Sequence, residues 1–239
     1  FLREARALSR FKHDHIVEVH DAGVEDGVAY LRMDYLQGED LRAYFRRLAP
    51  LSPAALADLL IPVCSAMTMV HRNGVVHRDL KPDNIFLARD AEGRVVPKVL
   101  DFGIAKVLDD GGSPLTHTEN VIGTPLYMSP EQFRSAKHID ARTDQYSLGV
   151  ILYEGATHEL PIRDEAIGQL ALRVVQGDFK PPRELRPDLP EEFERVILRA
   201  MARAPAERFP SMRELGVALL PFASERTRVL YGDLFPSPF

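Results

Sequence analysis

Apolar and polar positions divide the chain into a short sheet-forming opening and a long helical remainder. Leu2, Ala5, Leu8 and Phe11 recur every three residues with Arg and Glu between them, which predicts an amphipathic helix over residues 1–11. Residues 16–19 and 28–33 are short β-branched or aromatic runs. The turn-like stretch from Gly23 to Gly27 separates them, so they predict an antiparallel pair. Helices are expected over 40–48 and 53–73, the second closed by Asn73-Gly74 in a left-handed cap, with Pro62 either kinking it or marking a later start. Residues 85–88 and 95–100 flank Asp90-Ala91-Glu92-Gly93-Arg94, a hairpin signal. The stretch 145–154 is apolar nearly all round, through Leu148, Val150, Ile151 and Leu152, and predicts a buried central helix. More helices are expected at 164–176, 191–202 and 211–222, and 224–239, broken by Pro and Gly, reads as a tail leaving the domain.

Composition narrows the function classes. A chain of 239 residues, 45% hydrophobic and 27% charged, is large enough for one substantial core, or for one large lobe with part of a second. The net charge of −5 gives no basic excess to draw the surface onto nucleic acid, and Arg46-Arg47 is too short a run to imply it. Cys64 is the only cysteine, which excludes an internal disulfide and suits a reducing cytoplasm. Its apolar neighbours mark it as a core residue rather than a nucleophile. The remaining expectations are negative: no apolar run of membrane-spanning length, no signal peptide, and histidines without metal-ligand spacing, hence surface or packing residues.

The candidate chemistry sits in His77-Arg78-Asp79-Leu80-Lys81-Pro82-Asp83-Asn84, which places a carboxylate, an ammonium and an amide on one short loop. Asp101-Phe102-Gly103 follows the second hairpin strand, so the hairpin brings both stretches to adjoining strand ends, as a shared metal site requires. The two stretches resemble the H-R-D-x-x-x-x-N catalytic loop and the D-F-G element of protein kinases. Over residues 1–222 the chain resembles eukaryotic-like Ser/Thr protein kinases of bacteria. The fold implied is α+β and protein-kinase-like: part of a small β-lobe over 1–35, the helical lobe over 36–222, and a tail over 223–239.

That resemblance implies transfer of the γ-phosphoryl of Mg-ATP, with Mn2+ able to replace Mg2+, to Ser or Thr hydroxyls of protein substrates. In it, Asp79 takes or orients the hydroxyl proton, Lys81 contacts the transferring phosphate, Asn84 and Asp101 bind magnesium, and Phe102 belongs to the metal-binding element. Lys81 before Pro82 and Thr124 in Gly123-Thr124-Pro125 match Ser/Thr rather than tyrosine kinases, Thr124 bridging Asp79 and Lys81. Met33 lies at the back of the adenine pocket, Asp34 and Leu36 in the hinge, Asp40 near the ribose and Phe86 beneath adenine. His77 packs, Asp144 holds the backbone at His77 and Arg78, and Glu131 pairs with Arg208. Thr116 and Thr118 resemble paired autophosphorylation sites that Arg78 would bind when phosphorylated. For each of these residues taken singly, a solvated loop or plain core packing is the ordinary alternative; their coincidence carries the resemblance.

Glu4 takes the position of the helix glutamate that pairs with a strand lysine. That lysine and a glycine-rich loop are not found in residues 1–239, whose first glycine is Gly23, so the chain is expected to be a piece of a longer protein and poorly active alone. Its full-length form can be anchored to a membrane by segments outside this chain, and a kinase homodimer is compatible with the resemblance. Two rivals stand beside the enzyme. One is a pseudokinase scaffold, disfavoured by the intact Asp79, Lys81, Asn84 and Asp101; the other is a small-molecule phosphotransferase, disfavoured by the stretch through Ser129-Pro130-Glu131 and by Thr124.

Overall fold

A computed structural model describes residues 12–26, 28–100, 125–134 and 139–235. The helix expected over 1–11 lies outside them. Strands β1 (Val19–Glu25) and β2 (Val28–Met33) form an antiparallel ribbon. β1 begins later than expected and runs straight through Gly23, because Ile16 is taken by a parallel bridge to Val99 instead. A second sheet orders β3 (Gly38–Asp40), β4 (Ile85–Arg89) and β5 (Val95–Val99) antiparallel, with the expected hairpin between the last two. The amide of Val17 donates to the carbonyl of Val99 at 3.1 Å, so the ribbon is tied to this sheet.

Helix α1 (Leu41–Leu48) is capped by Asp40, whose Oδ1 accepts the amide of Ala43 at 2.7 Å. Helix α2 (Pro53–Arg72) starts at Pro53 rather than after Pro62, which sits buried in mid-helix. Ser52 caps its start, and Gly74 at φ +76° ends it, a conformation that glycine reaches without a Cβ penalty. Against expectation, α2 is long and apolar enough to cross a membrane by length and composition alone. In the fold its side chains from Leu59 to Met67 are buried in the core. Cys64 is among them, and burial pushes its thiol well above the usual range, which makes it inert.

Of the helices that follow, α3 (Pro130–Arg134) packs on α5 (Ile167–Gln176), α4 (Arg142–Thr157) and α8 (Met212–Leu219) pack on α2, and α6 (Pro182–Leu185) and α7 (Glu191–Ala200) pack on α4. α4 is buried almost throughout, as its apolar run predicts. The end of the chain departs from expectation. Ser224 bonds the Asp58 carboxylate through both its amide (2.9 Å) and its hydroxyl (3.0 Å), and caps helix α9 (Glu225–Tyr231). Beyond it Phe235 is 1% exposed, its ring lying where a Cβ on Gly216 of α8 would approach within 2.9 Å. Residues 224–235 are therefore part of the folded body. Truncating Phe235 to Ala is expected to cost about 3–5 kcal/mol; an unchanged urea midpoint would show that the segment docks without contributing.

Candidate active site

The loop bearing Asp79 is held from behind by a single carboxylate. Asp144, in the first turn of α4, is fully buried. Its Oδ2 accepts the amide of His77 at 2.9 Å and meets His71 Nε2 at 2.7 Å, while Oδ1 accepts the amide of Arg78 at 2.9 Å. Burial pushes this carboxyl up, but the bond and charge of His71, followed by His77, outweigh it and hold Asp144 below the usual carboxylate range. The same bonds fix Arg78 at φ +64°, a left-handed conformation that costs a non-glycine residue about 1–3 kcal/mol.

His77 ties the loop to the next strand end. Its Nε2 meets the carbonyl of Leu100 at 3.0 Å and its Nδ1 accepts the amide of Asp79 at 3.3 Å, so the proton sits on Nε2. The amide of Leu100 in turn donates to the carbonyl of Asn84 at 2.8 Å. The result is a compact cluster. Lys81 Nζ donates to Asp79 Oδ2 at 2.9 Å, and Asn84 Nδ2 donates to the Asp79 carbonyl at 2.9 Å and to its Oδ2 at 3.4 Å. Asp79 and Lys81 are each a little under one-fifth exposed, open enough to meet a substrate yet dry enough to strengthen their pairing.

With Asn84 Nδ2 committed to Asp79, its amide oxygen is the atom left for a cation. A carboxylate beside an amide oxygen is the hard donor chemistry that magnesium prefers. The described residues hold no group of three or more His, Cys, Asp or Glu able to bind a metal. Asp101 lies outside them, as do Phe102, Thr116, Thr118, Thr124 and Glu4.

The residues expected to meet adenine lie along adjoining strand ends. Met33 closes β2 opposite Val19, and the amide of Asp34 donates to the carbonyl of Glu18 at 3.1 Å. The Asp34 side chain meets His20 at 2.8 Å. Asp40 and Phe86 face each other in the register of β3 and β4. One Asp40 oxygen is engaged in capping α1, which leaves the other for a ribose hydroxyl. Both β3 and α1 pack against the turn Pro82–Asn84, so these positions border the Asp79 cluster.

On the far side of the loop, Arg208 is buried and grips Glu131 with two bonds, at 2.7 and 2.8 Å. Its remaining donors reach the carbonyls of Ala202 and Arg142, both at 2.8 Å. Burial raises the Glu131 carboxyl, but the Arg208 bond and charge outweigh it and hold the group below its usual value. Two partners escaped the sequence reading. Gln132 donates to the carbonyl of Arg78 at 2.8 Å while its Oε1 accepts the amide of Ser129 at 2.9 Å, joining the loop to the Ser129-Pro130-Glu131 turn. His71, read only as a surface or packing residue, bonds Asp144.

A family model described as the protein kinase domain matches residues 1–216. The chain belongs to the protein kinase domain family. It is 41% identical over 232 residues to the serine/threonine-protein kinase Pkn1 of Myxococcus xanthus, covering 96% of this chain and 32% of that protein. It is 36% identical over 224 residues to PknB of Mycolicibacterium smegmatis, a protein named as a serine/threonine-protein kinase, covering 92% of this chain and 35% of the relative. A further match is pkn3 of Myxococcus xanthus, 40% identical over 234 residues, with 96% and 43% covered. The chain thus spans from about a third to under a half of the length of these curated relatives. Family membership fits an α+β body in which two small antiparallel sheets meet a mainly helical lobe.

Proposed function

We propose that this chain is the greater part of the catalytic domain of a protein serine/threonine kinase acting in the cytoplasm. The observation that carries the reading is the Asp79 carboxylate, with Lys81 Nζ at 2.9 Å and the Asn84 amide beside it, on a loop fixed by Asp144. In the reaction, the Ser or Thr hydroxyl oxygen of a protein forms a bond to the γ-phosphorus of ATP as the bond to the departing ADP oxygen breaks. The hydroxyl proton passes to Asp79. Lys81 offers its ammonium to the transferring phosphoryl, a charge already held within reach of Asp79. Asn84 and Asp101 would hold magnesium, which would supply neutralisation of the phosphate charge. Because phosphoryl transfer asks mainly for positioning and charge, the hydrogen bonds that immobilise the loop are part of the catalytic apparatus. The relatives' names support Ser and Thr as acceptors, and Arg78 is placed in sequence to pair with a phosphate on Thr116 or Thr118.

The test uses the full-length protein that carries these residues. Incubated with labelled Mg-ATP and serine- and threonine-containing peptides, it should deposit label on both hydroxyl types and lose the activity on chelation of the metal. Absence of transfer to any protein or peptide hydroxyl would favour the scaffold instead. A Thr116→Ala/Thr118→Ala variant should be slower; undiminished rates would remove the regulatory part alone.

A further inference from the structure

The face of α9 turned away from the core has no partner among the described residues. Thr227 and Phe235 are buried and Tyr231 is partly so, which defines the inner side of the helix. The turn spacing continues past Tyr231, because the amide of Gly232 donates to the carbonyl of Arg228 at 2.8 Å and that of Phe235 to the carbonyl of Tyr231 at 2.9 Å. Positions 226, 229, 230, 233 and 234 therefore share the outer side. On it Val229 is 74% exposed, Leu230 60% and Leu234 56%, flanked by the exposed Arg226 and Asp233. Large aliphatic side chains so open on one short helix face form a patch rather than a scatter of single surface residues.

Charge decides what this patch fits. Glu225, Arg226, Arg228 and Asp233 balance, so no basic excess draws the patch onto an anionic lipid surface. Arg226 and Asp233 have no ion-pair partner among the described residues. They lie equally far along the chain from the midpoint between Val229 and Leu230. An antiparallel copy of the same helix, related by a two-fold axis at that midpoint, would set Val229 against Leu230 of the second copy and Arg226 against its Asp233, each contact occurring twice. A parallel copy would instead set Arg226 on Arg226 and Asp233 on Asp233. The face is thus self-complementary in one orientation and repulsive in the other. It is also presented rigidly, since Ser224 bonds Asp58 at the head of α9 and Phe235 is seated against Gly216 at its end.

We propose that the outer face of α9 is a self-association surface whose partner is a second copy of this chain, packed antiparallel, with Val229 and Leu230 at the centre and an Arg226 to Asp233 pair at each end. One short helix on another lies at the small end of specific interfaces, below about 1,200 Å². The dimer is accordingly weak, and its population rises with concentration. Pairing through this face calls on no residue of the Asp79 cluster, so it stands or falls apart from the kinase reading.

Sedimentation equilibrium on the full-length protein over a range of concentrations gives the dimer dissociation constant. Arg226→Asp leaves anions at both ends of the face and Asp233→Arg leaves cations at both, and both substitutions sit on the exposed side, so neither disturbs the core. Each variant alone should show a dissociation constant raised about tenfold. An equimolar mixture of the two should pair within about threefold of the native value, because every end contact again joins opposite charges. Leu230→Asp should weaken pairing by about tenfold and gain nothing from mixing with either charge variant. A native protein that stays monomeric, reversals that leave a native dimer unchanged, or a mixture that pairs no better than its components would each overturn the inference. A native monomer retained by phosphatidylglycerol vesicles and released from them by Leu230→Asp would overturn it too, by assigning the patch to lipid.

Discussion

Asp79→Asn in the full-length protein is expected to lower the first-order rate of phosphoryl transfer by about 10²- to 10⁴-fold, the range for removing a positioned proton acceptor. The substitution keeps the shape of the side chain and an oxygen for Lys81 Nζ, now 2.9 Å from Asp79 Oδ2. Neither Asp144 nor its bonds to His77 and Arg78 are altered, so the loop stays in place and Mg-ATP affinity should change by less than about threefold. Single-turnover transfer measured beside equilibrium nucleotide binding separates the two quantities. A fall in affinity as large as the fall in rate would mean that Asp79 holds nucleotide rather than the proton.

The second large effect is on stability. Arg208→Met should destabilise the domain by about 3–5 kcal/mol, because it leaves the Glu131 carboxylate half-enclosed with its bidentate partner gone. The urea midpoint should fall with little change in slope. The pH dependence gives a further sign. In the native protein Glu131 has a depressed pKa, so its contribution is present above the unfolded carboxyl pKa and is lost as pH falls through the folded value. Without Arg208, burial is opposed only by the Thr143 and backbone bonds, so the folded pKa rises relative to the native protein. Through Glu131 the variant should then lose less stability than the native protein as pH falls through the carboxylate range. Matching acid limbs for the two proteins would show that Glu131 draws its stabilisation from Thr143, at 2.8 Å, instead.

What could be read from the sequence was local. α2 and α4 were legible because long apolar runs can only be buried, and the Asp79 loop because its chemistry sits within eight consecutive residues. The Glu131 to Arg208 pair came through family resemblance, not from spacing, since 77 residues separate them. The misses share one physical cause. His71 to Asp144 spans 73 residues, Ser224 to Asp58 spans 166, and Arg42 to Glu154 spans 112, and no periodicity carries a side-chain bond across such distances. The tail was misread for the same reason, its burial hanging on Phe235 and one cap. β1 was shortened because Ala22 and Gly23 lack the β-branched signature, although pairing with β2 supplies their backbone partners all the same.

α9 brings the last described stretch of chain back to the first. Tyr231 Oη sits 2.5 Å from His15 Nε2, whose other nitrogen meets the carbonyl of Pro97 at 2.8 Å. Residues 216 positions apart thereby share one opening event, and the turn at 13–16 cannot loosen on its own while α9 is docked. In amide hydrogen exchange the two segments should open as a single unit, so that the strand bearing Pro97 draws anchorage, through His15, from a helix more than two hundred positions along the chain.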